Sequence, residues 1–291
     1  MDWRQQQELA KRAALEAEKI RLAAKIPHTA PIDPIETAMA RGCEVRLMSL
    51  PSLEGMYSPV PKPLIVLGSE RPAGRRTFTC AHELAHHVFK HGMKLEELNE
   101  QKRTCGEKTP DEFLADAFAG HLLMSKPVVS HAIKIRGLTP SALTPIQVYR
   151  LACYFGVGYG TAVSHMTYAL KMISRPHSET LLKIQPKQIK AQYGINANSG
   201  GVFADFHWRH RPLDAEIGDT IVLPKNAEIE DGNRLQLVGE GEDVLLYRAL
   251  SAGYSRTYCD EEDWAVHIRI SRKNYEGLAQ YRFFEEVEDG E

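Results

Sequence analysis

Apolar residues recur at helical spacing from the start of the chain: Leu9, Ala13, Ala17 and Ile20 form one stripe within residues 1–26, which are otherwise dense in Gln, Ala, Lys and Glu. That period predicts an amphipathic helix that packs on the core or on a partner. A proline-rich break follows at residues 28–34, then a helix near 35–41 and strands near 43–49 and 63–67. Two longer helices come next. The first enters through residues 75–80 without Pro or Gly, presents Ala81, Leu84, Ala85, Val88 and Phe89 as its apolar surface, and is expected to end in a left-handed Gly92. The second covers residues 112–124, with Phe113, Ala117 and the alternate face of Leu114, Phe118 and Leu122 turned inward. Thr144 and Pro145 open another helix up to Phe155, a glycine-rich turn spans 156–160, and residues 161–172 read as its follower. Beyond about Ser178 short β runs appear at 220–223, 234–238, 244–250, 264–270 and 281–287, punctuated by turns at 218–219, 231–233 and 239–241.

This order gives an α+β fold with four parts: an N-terminal helix (1–26), a mixed core (27–125), a helical segment (126–177) and a β-rich region (178–291). A length of 291 residues is enough for about two compact domains. Apolar content of 43% and charged content of 25% are ordinary for a water-soluble chain. Five cysteines without paired spacing argue for a reducing, cytoplasmic compartment. No apolar run approaches a membrane span, and residues 1–26 lack the continuous apolar centre of a signal peptide.

The chemistry concentrates in His82-Glu83-Leu84-Ala85-His86. A four-residue step turns a helix by about 400°, so the two imidazoles share a face and can close on one Zn²⁺. Glu83 lies about 100° round the same helix, within reach of an attacking water without ligating the metal. On the second helix Glu112 and Asp116 also share a face. A catalytic zinc site takes three protein ligands, and His₂Glu is one such set. Glu112 would complete it, and Asp116 would accept a hydrogen bond from a ligand histidine and fix its tautomer. A solvated carboxylate pair is the plainer alternative, weakened by the apolar residues around Asp116.

These stretches, residues 76–86 and the Glu112, Ala115, Asp116, Phe118, Ala119, Leu122–Met124 pattern, resemble the ImmA/IrrE family of gluzincin metallopeptidases. The resemblance covers about residues 27–175, with Ser125 standing where the family often has Pro. Residues 63–68 look like the family's edge strand beside the cleft, which could hold an extended substrate by strand addition. The resemblance implies a zincin-like minimal protease core using Zn²⁺, with Mn²⁺ as the other metal to test. It also implies cleavage of a helix-turn-helix repressor, switching on stress, DNA-damage or anti-phage genes. The β-rich region would be a GAF-like sensor by position alone. Tyr57, Tyr149 and His121 are candidates for stabilising the tetrahedral intermediate, with a structural role as the alternative for each.

Three features stay open. Cys105 lies in a polar linker between the two helices; its thiolate could occupy the open metal position and hold the protease latent, or be an exposed thiol. No acidic residue occurs between Asp116 and Glu179, whereas Lys134, Arg136 and Arg150 are basic. The helix-turn-helix-like segment there is either a nucleic-acid contact or a buttress. Trp208, Arg209 and Arg211, with Phe203 and Phe206, could stack on single-stranded DNA as an activating signal, or pack on the core. A non-proteolytic regulator that binds DNA or repressor is the alternative to the enzyme. The intact Glu83 favours the enzyme, because a scaffold needs no general base.

Overall fold

The computed structural model describes residues 1–97, 109–230 and 232–284. They form a mixed α+β chain of two compact units. The first unit is Met1–Lys134 with Phe155–Gly158 and Glu276–Ala279; the second holds Ile135–Tyr154, Tyr159–Tyr275 and the described residues from Gln280 onward.

In the first unit, helix α1 (Trp3–Ala23) starts at a capping box: Asp2 accepts from the Gln5 N–H at 2.8 Å while the Gln5 side chain accepts from the Asp2 N–H. Its stripe Ala13, Ala17 and Ile20 is buried. Arg21 on the same face is also buried, 1% exposed, and burial pulls its pKa down to about 10. Its guanidinium donates to the carbonyls of Leu122, at 2.8 Å, and of Ala30. One side chain thereby ties α1 to the helix carrying Leu122 and to the loop before helix α2 (Pro34–Ala40), which Asp33 caps.

Strands β1 (Glu44–Met48), β2 (Leu53–Ser58), β3 (Leu64–Gly68), β4 (Lys94–Glu97) and the late β13 (Gly277–Leu278) make one sheet in the order β13-β1-β3-β2-β4. β3 runs parallel to β1, Val45 opposite Ile65, and antiparallel to β2, Tyr57 opposite Ile65. The expectation of an edge strand at 63–68 is therefore corrected: β3 is central. Its continuous apolar run Leu-Ile-Val-Leu is what a strand buried on both faces requires. Among the described residues β4 is the outer strand on the β2 side.

Helix α3 (Ala73–Val88) packs on β2, β3 and α2, and against helix α4 (Pro110–Leu123). Every residue from Thr79 to His86 is buried. Helix α3 does not run on to a left-handed Gly92; the left-handed residue is Lys90, with φ 58°. Helix α5 (Lys126–Ile135) follows α4 directly.

In the second unit, helix α6 (Pro145–Phe155) turns Ile146, Tyr149 and Cys153 onto a core of Ile195, Phe203, Val222 and Leu246. The follower helix α7 is shorter and earlier than expected, Tyr159–Ser164, and widens into a π turn over His165–Ala169. Two four-stranded sheets complete the unit. One runs β5 (Gly201–Phe203), β7 (Thr220–Pro224), β10 (Val244–Ala249), β9 (Leu235–Glu240). The other runs β6 (Leu213–Glu216), β12 (Trp264–Ser271), β11 (Gly253–Cys259), β8 (Glu228–Ile229). The strand expected at 281–287 does not form over its described part. Residues Ala279–Tyr281 make a 3₁₀ turn, and Phe283 packs beneath the Arg269 and Arg282 guanidinium groups and beside Tyr254. No helix among the described residues is long and apolar enough to cross a membrane.

Arg21→Leu should lower the unfolding free energy by about 3 kcal/mol, because it strands buried carbonyl groups. Guanidinium titration of the two proteins checks this; a difference below about 0.5 kcal/mol would remove the clamp from the account of stability.

Candidate metal centre

The site is built where α3 passes α4. His82 and His86 lie one turn apart on α3, both buried, and their Nε2 atoms face each other at 3.1 Å. Glu112 projects toward them from the first turn of α4, where the Thr109 hydroxyl caps the helix by accepting from the Glu112 N–H. Its Oε2 lies 3.2 Å from His82 Nε2, and its Oε1 lies 3.8 Å from His86 Nε2. One ligand atom from each of these three residues falls within 4.8 Å of the others.

Asp116, one turn further along α4, meets the other side of the His82 ring, Oδ1 to Nδ1 at 2.9 Å. A carboxylate only accepts, so with a metal ion held on Nε2 the His82 hydrogen would sit on Nδ1 facing Asp116, and the Nε2 lone pair would point to the side where His86 and Glu112 converge. Two imidazole lone pairs and a carboxylate converging on one point repel unless a cation lies between them. The donor set, two nitrogens and an oxygen from separate side chains, suits a divalent transition metal.

Glu83, next to His82, is fully buried and turns toward β2. The space it occupies exists because position 55 is glycine. A Cβ on Gly55 would lie 2.4 Å from Thr79 Cγ2 and 3.3 Å from Glu83 Oε1. Nothing in the sequence marks Gly55; only the pairing of β2 beside α3 does. His91 is the other residue that the sequence reading passed over. Its Nδ1 lies 2.8 Å from His86 Nδ1, and its Nε2 lies 3.4 Å from Asp111 Oδ1. The available signal was a histidine five residues after His86, at the helix end.

The remaining candidates are distributed as follows. Tyr57 is buried on β2, with its hydroxyl 3.1 Å from His87 Nδ1; burial raises its pKa. Tyr57, His87 and His91 line a cavity of about 410 Å³ past the end of α3. His121 lies on α4, and burial depresses its pKa. Tyr149 belongs to the second unit, where it donates to the Gly201 carbonyl at 2.9 Å. Cys105 lies outside the described residues.

Of the nucleic-acid candidates, Lys134 is exposed in the first unit and the rest are in the second. Arg136 forms a two-point ion pair with Asp205, at 2.8 and 2.9 Å, and lies over the Tyr154 ring. Trp208 is 1% exposed, so its ring face is not open to a base. Arg209 donates to the Asp263 carbonyl and Arg211 to the Tyr154 carbonyl. Arg150 is half-buried on α6.

Residues 38–167 match the model of the IrrE N-terminal-like domain, peptidase family M78, and the match contains both helices and all three donors. These residues are an ImmA/IrrE-type metallopeptidase domain. Comparison with curated proteins finds no match to the chain. The M78 assignment implies a metal cofactor, and the His82–His86–Glu112 cluster is compatible with it.

Gly55→Ala should destabilise the fold by about 2 kcal/mol, since the new methyl must displace Thr79 or Glu83. Thermal unfolding checks this, and an unchanged midpoint would show that the space is not needed. His82→Ala should abolish stoichiometric zinc binding by the purified chain; retention of one tightly held zinc, measured by elemental analysis, would move the centre elsewhere.

Proposed function

We propose that the chain is a zinc-dependent endopeptidase that cleaves a helix-turn-helix transcriptional repressor and so releases stress, DNA-damage or anti-phage genes. The observation that carries this reading is the convergence of His82, His86 and Glu112 beside a buried Glu83, on an M78 domain. His82, His86 and Glu112 would hold the ion, which when bound polarises the scissile carbonyl and acidifies the attacking water. Glu83, buried beside His82, would act as the general base toward the attacking water and return the proton to the leaving amine. Asp116 holds His82 in the ligating tautomer. The core is zincin-like and the ligand set is that of a gluzincin. With β3 buried at the sheet centre, strand addition by the substrate falls to the outer edge of β4.

The β-rich region from residue 178 is the candidate sensor, GAF-like by position, and single-stranded DNA is the signal we carry into the experiment. The internal pairing of Arg136, Arg209 and Arg211 and the burial of Trp208 direct the search for a DNA contact away from that cluster, to exposed cations such as Lys134.

The test incubates the purified chain and its Glu83→Gln form with the repressor encoded beside it, with zinc or manganese, and with or without single-stranded DNA. Glu83→Gln should keep one zinc and lose at least 10³-fold in cleavage rate, as expected when a general base is removed. Cleavage by both forms would sink the mechanism. Equal cleavage without DNA would keep the peptidase and discard that signal. A stable complex with repressor or DNA and no cut would favour a binding regulator.

A further inference from the structure

The helix that carries His82 and His86 ends in a way that delivers another imidazole to the site. After Phe89 at the cap, Lys90 takes a left-handed conformation, φ 58°. Two hydrogen bonds then close the end: Lys90 N–H to the His87 carbonyl at 3.2 Å, and His91 N–H to the His86 carbonyl at 2.9 Å. Together they make a Schellman stop, which folds the residue after the left-handed one back over the residue three positions before the cap. In such stops this contact frequently joins two apolar side chains. Here it joins two imidazoles, with ring centroids 5.1 Å apart and Nδ1 atoms 2.8 Å apart.

We propose that His91, backed by Asp111, is a positioning residue that fixes the tautomer and orientation of His86 as a metal ligand. Asp111 Oδ1 lies 3.4 Å from His91 Nε2, and a carboxylate only accepts, so in the neutral His91 ring it favours the tautomer with the hydrogen on Nε2. His91 Nδ1 is then an acceptor, and the atom facing it, His86 Nδ1, must be its donor. That leaves the His86 lone pair on Nε2, the atom that faces His82 and Glu112. Asp116 does the same for His82 from the other side. Each ligand histidine is thus held from behind, one directly by a carboxylate and one through an intervening imidazole. His91 cannot ligate the same ion, because it meets His86 on the nitrogen that points away from Glu112. Its position is dictated by the backbone hydrogen bonds of the helix stop.

The inference rests on the metal-dependent reading of the site and not on the substrate. The experiment measures the zinc dissociation constant of the full chain by competition with a chromophoric chelator, together with the visible spectrum of the cobalt-loaded protein. His91→Ala should weaken zinc binding 10- to 100-fold, the usual loss when the group behind a ligand histidine is removed, and should shift the cobalt bands. His91→Asn, whose side-chain oxygen can accept the His86 Nδ1 hydrogen, should recover most of that affinity. Asp111→Ala should show a smaller loss in the same direction. Lys90→Gly preserves the left-handed stop and should leave affinity unchanged. Parent-like affinity and spectrum in His91→Ala, or no recovery with Asn over Ala, would overturn the proposal. A parent chain that shows this dependence yet cleaves no repressor would retire the protease reading and leave this one standing.

Discussion

Three Lewis-base atoms from His82, His86 and Glu112 are brought within 4.8 Å by the crossing of two helices, and much of the first unit is arranged to hold them there. Bare donors at this separation repel, so the fold has to supply the force that keeps the helices together. It does so by burial: Thr79 through His86 are inaccessible on one helix, and Leu114, Ala115, Phe118, Ala119, Leu122 and Leu123 are inaccessible on the other. Helix α1 braces α4 from outside, and its buried Arg21 reaches the last turn of α4 through the Leu122 carbonyl. The clamp is expensive to desolvate and therefore specific, since a misplaced α1 would bury an uncompensated guanidinium.

The same region uses helix ends as tools. Glu112 sits in the first turn of α4, where the Thr109 cap fixes the backbone and the helix dipole favours a carboxylate. His91 lies just beyond the end of α3, where the two bonds of the stop set its direction. Between these termini, the glycine at position 55 leaves the sheet thin enough for the Glu83 carboxylate to fit against it. Rigid backbone rather than adaptable side-chain packing decides where each chemical group points, which is what a catalytic constellation requires.

The second unit follows a different logic. Its arginines are largely committed to internal partners: Arg136 to Asp205, Arg269 to Asp214 across neighbouring strands, and Arg209 and Arg211 to backbone carbonyls. A count of basic residues therefore overstates the positive surface available to a polyanion. The face of α6 that holds Tyr149 and Cys153 is spent on the unit's own core beside Phe203. It is a packing surface before it is a recognition surface.

The candidate metal donors were legible in the sequence because helical spacing converts residue number directly into direction: His82 and His86, or Glu112 and Asp116, must share a face wherever the helices lie. The alternating and continuous apolar runs of β1, β3, β7, β10 and β12 were legible for the same local reason. The centrality of β3 was also written in its unbroken Leu-Ile-Val-Leu run, although the resemblance pointed to an edge. What spacing could not carry was any contact between segments distant in the chain. The place of β2 beside α3, which gives Gly55 its role, depends on sheet register. The return of Gly277–Leu278 to pair with β1 spans most of the sequence and follows from an open sheet edge rather than from any local motif. Burial of Trp208 and pairing of Arg136 were undecidable from composition, because an aromatic–cationic cluster has the same residues whether it faces solvent or its own core. Local periodicity fixes direction along one element; only the packing of elements against each other decides which donors meet and which charges are already satisfied.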